Sequence, residues 1–360
     1  MSTSEQPANE QAEIHQETGY DAVLIVSFGG PEGPDEVLPF LENVLRGKNV
    51  PHERMLEVAE HYQHFGGVSP INEQNRQLIA ALEAELAEHG PHLRVYWGNR
   101  NWNPLLADTL RKMRDDGVQR AIAFFTSSFS SYSGCRQYRE DIMRAQEEVG
   151  EGTPQVDKLR VFFNHPGFIE PLVESVKEHR KQISPEARDD SLLMFTAHSI
   201  PLSMAQNCRY EAQLQEACRL VAEQSGHSRW ELVYQSRSGP PQQPWLEPDV
   251  CDRITALHEA DKLSDLMILP IGFISDHMEV LFDLDTEAAE LCEELGVCMQ
   301  RLPTVGTHPR FIRMIRELIE ERVNEDPQRQ ALGDLGPSHD VCPVDCCLYT
   351  PKPPLPANAS

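Results

Sequence analysis

The chain has 360 residues, 40% hydrophobic and 25% charged, an ordinary composition for a globular protein and enough length for two domains with sizeable cores. A formal net charge of -25 argues against nucleic acid as a partner, because phosphate binding needs clustered Lys and Arg, and it disfavours an anionic membrane surface. No apolar run approaches the roughly 20 residues needed to cross a bilayer, so no transmembrane segment is expected.

The polar, acidic stretch 1–19 has neither the basic start nor the apolar core of a signal peptide. It reads as a disordered lead, which makes a cytoplasmic location the expectation. Val23 to Val26 then reads as a strand ending in Ser27-Phe28-Gly29-Gly30-Pro31, and 35–46 as a helix opened by Asp35. Leu78 to Ala87 is an amphipathic helix, Val95 to Trp97 a strand, and Pro104 to Asp115 a helix closed by Gly117. Ala121 to Phe125 is a strand leading into the serine-rich loop Thr126 to Tyr138.

The alternation restarts near residue 160. Leu159 to Phe163 reads as a strand, Pro171 to Lys181 as a helix, Leu192 to Phe195 as a strand and 208–224 as a helix. Glu231 to Tyr234 (strand), Val250 to Ala260 (helix), Leu266 to Leu269 (strand) and Met278 to Glu290 (helix) follow. A short strand near Cys298 and the helix Pro309 to Val323 close the second half. Such repeated β-α alternation predicts an α/β fold of parallel sheets flanked by helices. We divide it into a first domain at 20–160 and a second at 161–325, with a cleft between them and the boundary near 150–165, around Gly150-Glu-Gly-Thr-Pro154. Residues 326–360 read as a Pro-rich tail.

Two segments stand where ligands bind in such sheets, just past the carboxyl ends of strands. One is Phe195-Thr-Ala-His198-Ser-Ile-Pro201, the other Gly272-Phe-Ile-Ser-Asp276-His277-Met-Glu279-Val-Leu-Phe-Asp283. An isolated His is more often structural than functional. Beside an acidic cluster it gains a use, since an imidazole facing carboxylates transfers protons or holds a divalent metal. On a continuous helix, Glu279, Asp283 and Glu287 at i, i+4 and i+8 form one acidic stripe, and Gly272 lets the backbone approach a ligand. Neither glycine turn of the first half matches a dinucleotide or phosphate loop. The loop arginines Arg46, Arg100 and Arg237 suit a ligand bearing several carboxylates. Phe28, Trp102, Tyr132 and Trp245 suit a flat ring.

Nine cysteines in a reducing compartment are not expected to pair as disulfides. Cys208, Cys218, Cys251, Cys292 and Cys298 read as buried or partly buried thiols. The tail is different, with Cys342, Cys346 and Cys347 within six residues. That density points to a metal or an iron–sulfur cluster, with Cys135 the best-placed fourth ligand.

Ordered motifs run along nearly the whole chain: Val26-Ser-Phe-Gly-Gly-Pro31, Gly66-Gly-Val-Ser69-Pro70, Gly98-Asn-Arg-Asn-Trp102, Thr196-Ala-His-Ser-Ile-Pro201, Tyr234-Gln-Ser-Arg-Ser-Gly-Pro240, Pro244-Trp-Leu-Glu-Pro-Asp249 and Gly272 to Glu279. In these residues the sequence resembles the ferrochelatase family, the lyases of heme biosynthesis that insert Fe(II) into a porphyrin. The resemblance implies two chelatase-type, Rossmann-like domains with the porphyrin between them. It implies that His198 faces the porphyrin nitrogens and takes protons, ligates metal, or both. Glu279 would be the carboxylate partner, with Asp283 and Glu287 an acidic path behind it. It implies porphyrin contacts from Phe28, Arg46, Ser69, Arg100, Tyr132, Gln235, Arg237 and Trp245, and a [2Fe–2S] cluster on Cys135, Cys342, Cys346 and Cys347. Phe28 replaces the Tyr of several members, so that position keeps only a packing role.

The short, polar loop Thr126 to Tyr138 resembles that of members metallating coproporphyrin III rather than protoporphyrin IX. Transient contact with neighbouring heme-pathway enzymes is a further expectation. A non-catalytic tetrapyrrole or metal carrier on the same fold, and a cobalt or nickel chelatase, stay open as alternatives.

Overall fold

A computed structural model describes residues 19–47, 50–238 and 242–349. Of the expected lead, residues 1–18 lie outside the described residues, as do 350–360 of the tail and Gly239 and Pro240 of one motif.

Two four-stranded parallel sheets share one strand order. In the first, β1 (Ala22–Ser27) lies between β2 (Arg94–Asn99) and β3 (Arg120–Phe125), with β4 (Gln155–Lys158) beyond β3. In the second, β5 (Leu192–His198) lies between β6 (Trp230–Gln235) and β7 (Asp265–Leu269), with β8 (Cys298–Arg301) beyond β7. The helices are α1 (Val37–Leu45), α2 (His52–His64), α3 (Ile71–His89), α4 (Leu106–Asp115), α5 (Gln137–Val149) and α6 (Pro166–Arg180) in the first stretch. They continue with α7 (Leu202–Ala205), α8 (Tyr210–Ser225), α9 (Val250–Glu259), α10 (Met278–Phe282), α11 (Ala289–Leu295) and α12 (Pro309–Val323).

The period of two along each buried strand sorts its residues between two cores. Ala22, Leu24 and Val26 of β1 pack against α4 and α5, whereas Leu192 and Met194 of β5 pack against α9 and the Val280–Cys292 segment. The alternate residues, Val23 and Ile25 of β1 and Leu193 and Phe195 of β5, belong to one continuous core with α3, α6, α8 and α12. The two sheets thus share a layer of helices. A small cluster of Val37, Phe40, Leu41, Met55 and Ala59 joins α1 to α2 and forms a lip on the first sheet. Among the described residues no helix is long and apolar enough to cross a membrane.

The expected strand Leu159 to Phe163 is absent, and the strand in that region is β4, at 155–158 on the first sheet. The apolar run has another cause. Leu159, Val161, Phe162 and Phe163 are buried irregular chain, with Phe162 stacked on Phe124 at 5.2 Å and against Phe311. Gly150 to Pro154 therefore joins α5 to β4 of the first sheet rather than one sheet to the other. Cys298 is exposed, unlike the thiol expected there.

Candidate active site and tail thiol cluster

The order of the second sheet reverses at β5, which has β6 on one side and β7 on the other, so a crevice opens past its carboxyl end. His198 is the last residue of β5. The chain leaving β7 folds back onto this end, where Gly272 N donates to Thr196 O at 3.0 Å. A Cβ on Gly272 would lie 2.7 Å from Ala197 Cα, so the glycine serves approach to the strand carrying His198 rather than to a ligand.

That approach delivers α10 to the histidine. His198 Nε2 lies 3.6 Å from Glu279 Oε1, and Glu279 Oε2 lies 3.9 Å from His277 Nδ1. The ring is fixed through its other nitrogen, which donates to the Ser199 carbonyl, while Tyr210 OH donates to the His198 carbonyl at 3.0 Å. Burial works against a charge on His198, but Glu279, the Ser199 carbonyl and Asp283 outweigh it and raise its pKa to about 9. His277 is pushed down by burial and by the charge on His198, against the pull of Glu279.

The acidic segment is not one helix. α10 gives way to a π-helical turn at Asp283–Ala288 before α11 resumes. Such wider turns recur at functional sites. The expected α-helical stripe is corrected accordingly, yet the carboxylates remain neighbours. Asp283 accepts from Gln235 Nε2 at 3.2 Å and from Ser236 Oγ, and the same Gln235 amide donates to Glu279 O at 3.2 Å. Burial, then the charges of Glu279 and Glu287, raise the Asp283 pKa to about 7 in spite of those donors. Glu287 is raised by burial and by Asp249 and Glu290, and Arg54 of α2 partly offsets this. The acidic line therefore continues to Asp249, whose carboxylate caps α9 by accepting from Cys251 N at 2.9 Å.

The tail carries a second cluster. Cys135 is buried in the π-helical turn Tyr132–Arg136 beside Cys342, and the interaction of the two thiols lowers the pKa of Cys342 and raises that of Cys135. Cys346 Sγ lies 3.7 Å from Cys347 Sγ and 3.7 Å from His339 Nε2. Arg136 holds the segment by donating to Val344 O at 2.8 Å and Cys346 O at 3.0 Å. The structure thus brings Cys135, Cys342, Cys346 and Cys347 to one place and adds His339, which the sequence reading did not single out.

The ferrochelatase family model matches residues 20–323. The chain belongs to the ferrochelatase family. It is 64% identical over 335 residues to the ferrochelatase of Rhodopirellula baltica, covering 93% of this chain and 95% of that one. It is 50% identical over 362 residues to the coproporphyrin III ferrochelatase of Streptomyces coelicolor, covering 94% and 96%. Among solved structures, SirB from Bacillus subtilis with Fe3+ matches with a TM-score of 0.52 at 13% identity, over 85% of this chain and 100% of that one. At that identity the likeness shows the fold alone.

The porphyrin contacts that the ferrochelatase resemblance implies are differently disposed. Phe28 follows β1 and is partly exposed, with Phe40 edge-on at 6.3 Å. Arg46 is exposed at the end of α1, and Arg237 is exposed after β6 with Nη2 donating to Gln243 O at 3.3 Å. Tyr132 donates to Glu140 at 3.0 Å and packs against Tyr349 at 5.7 Å. Arg100 departs from the expectation of a loop cation open to a ligand: its side chain is 7% exposed, pairs with Asp141 and lies over Tyr138 at 4.5 Å. Three others are buried. Ser69 backs the first glycine turn, its N–H donating to Pro31 O at 2.9 Å. Gln235 holds the acidic segment. Trp245 pairs with Pro201 in a short antiparallel bridge that braces the segment after His198.

Sequence reasoning missed α2 altogether. Its His61 ring stacks on Phe282 at 3.7 Å, and burial together with the Glu279 charge pushes the Tyr62 phenol up. The lip of the first sheet therefore closes onto the acidic helix of the second. The segment has an ordinary polar helix composition, and nothing in it points to a partner more than 200 residues away.

Proposed function

We propose that this chain inserts Fe(II) into coproporphyrin III with release of two protons, a step of heme biosynthesis, in the cytoplasm. The observation that carries this reading is the 3.6 Å approach of His198 Nε2 to Glu279 Oε1 at the mouth of the crevice, with Asp283 and Glu287 behind it. A porphyrin must lose two N–H protons as the metal enters. His198, its ring fixed through Nδ1, presents Nε2 to receive them one at a time, each after the proton it already holds has passed on. Glu279 supports the resulting imidazolium and is positioned to share the incoming cation. A divalent cation on Glu279 would reverse the field that holds a proton on His198, freeing the imidazole to act as a base. Asp283, with a pKa of about 7, exchanges protons at neutral pH and connects the pair to Glu287 and solvent.

The same reading divides the chain into lobes at 20–160 and 161–325 with the porphyrin between them, resting on Phe28. The exposed Arg46 and Arg237 favour a substrate with four propionates, and the relative at 50% identity is named a coproporphyrin III ferrochelatase. Turnover of Fe(II) with coproporphyrin III and protoporphyrin IX side by side tests the substrate. A higher kcat/KM for coproporphyrin III supports the reading, and a preference for protoporphyrin IX overturns it. Tight binding of both without turnover would favour a carrier.

Four converging thiols suit a [2Fe–2S] cluster. Cys135, Cys342, Cys346 and Cys347 would hold it. When bound, it would tie the tail to the turn that carries Cys135 and Tyr132.

A further inference from the structure

The tail holds more donors than one cluster uses. Within it, the donor atoms of His339, Cys342 and Cys346 all lie within 4.8 Å of one another. Two ligands of one tetrahedral zinc-type ion, with metal–sulfur bonds of about 2.3 Å and metal–nitrogen bonds of about 2.0–2.1 Å, are about 3.5–3.8 Å apart. Cys346 Sγ stands at 3.7 Å from His339 Nε2 and at 3.7 Å from Cys347 Sγ, in that range on both sides. The imidazole is exposed, whereas Cys342 and Cys346 are half-buried, so the three donors form a mouth that opens to solvent.

We propose that His339, Cys342 and Cys346 form a mononuclear site for one soft divalent cation of the zinc type, occupied when no iron–sulfur cluster is present. The fourth ligand is a neighbouring thiolate: Cys347, 3.7 Å from Cys346, or Cys135, the thiol on the other side of Cys342. Mixed imidazole–thiolate sets with tetrahedral edges are the usual home of such ions. The site shares thiols with the proposed cluster but needs a residue that the cluster does not, so the two assignments stand or fall separately. It gives the tail a second way to be pinned in place.

The test is Co(II) titration of the full-length, reduced protein after its iron is removed by chelation. The expected result is one sulfur-ligated Co(II) per chain, marked by a sulfur-to-cobalt charge-transfer band and the intense visible bands of four-coordinate cobalt, all bleached by Zn(II). Cobalt bound at His198 and Glu279 has no sulfur ligand and gives no such charge-transfer band. His339→Ala should weaken this binding at least about tenfold and change the visible bands, yet still take up a cluster on reconstitution with iron and sulfide. An unchanged affinity and spectrum in His339→Ala would overturn the proposal, and so would loss of cluster assembly in that variant. In a Cys135→Ser protein, retention of full cluster absorbance would count against the cluster assignment alone.

Discussion

Arg160 and Glu321 meet as a bidentate pair, with Nε and Nη2 donating to the carboxylate at 2.7 and 2.9 Å. Their side chains are 1% and 7% exposed, and Arg160 Nη2 also donates to Gln330 O at 2.7 Å, which fastens the start of the tail to the core. Removing one partner strands a buried charge, at a cost of about 3–5 kcal/mol. Arg160→Met should therefore lose stability on that scale in urea unfolding, and Arg160→Met/Glu321→Leu should recover most of it. A single-variant loss below about 1 kcal/mol would show that the pair is dispensable.

Acid stability should depend on a histidine outside the crevice. His165 caps α6, with Nδ1 accepting from Gly167 N at 3.0 Å. Burial, then Arg160 and Arg310, hold its pKa down at about 3, although Glu317 lies 3.7 Å from its Nε2. The unfolded chain protonates this imidazole near pH 6.5 and the folded chain does not. Stability is then lost as pH falls from about 6.5 toward 3, by a total of about 5 kcal/mol from this group. His165→Asn keeps a capping acceptor and should flatten the dependence of unfolding free energy on pH in that window. An unchanged slope would rule the group out as its source.

The Gln235 amide ties the end of β6 to both Glu279 and Asp283. Gln235→Leu should let the acidic segment drift and cut kcat about tenfold, a typical cost for a supporting hydrogen bond. KM for porphyrin should change little. A change confined to KM would instead mark Gln235 as a substrate contact.

For the tail, Cys342→Ser should abolish visible absorbance and lower the melting temperature. Retained absorbance with full iron and sulfide content would dismiss Cys342 as a cluster ligand.

Much of this site was legible because strands betray themselves locally. The β-branched and apolar runs of β1, β5 and β7 mark their own ends, and His198 and Glu279 follow from that placement. Leu159 to Phe163 misled for the same reason, since an apolar run records burial rather than hydrogen bonding, and here aromatic packing supplies the burial. Arg100 looked available because its partner, Asp141, lies 41 residues on in a helix the pattern did not reveal. The lip contact of His61 with Phe282 is a tertiary fact with no local signature, whereas His339 was open to reading in the spacing His339-x2-Cys342-x3-Cys346.

The most direct test of the account is anaerobic Fe(II) insertion into coproporphyrin III by the wild type, His198→Ala and Glu279→Gln, with porphyrin binding measured in parallel by fluorescence. The pair predicts that each variant binds porphyrin but turns over at least about 100-fold more slowly, the usual scale for loss of a positioned proton acceptor. Turnover by His198→Ala near the wild-type rate would contradict it.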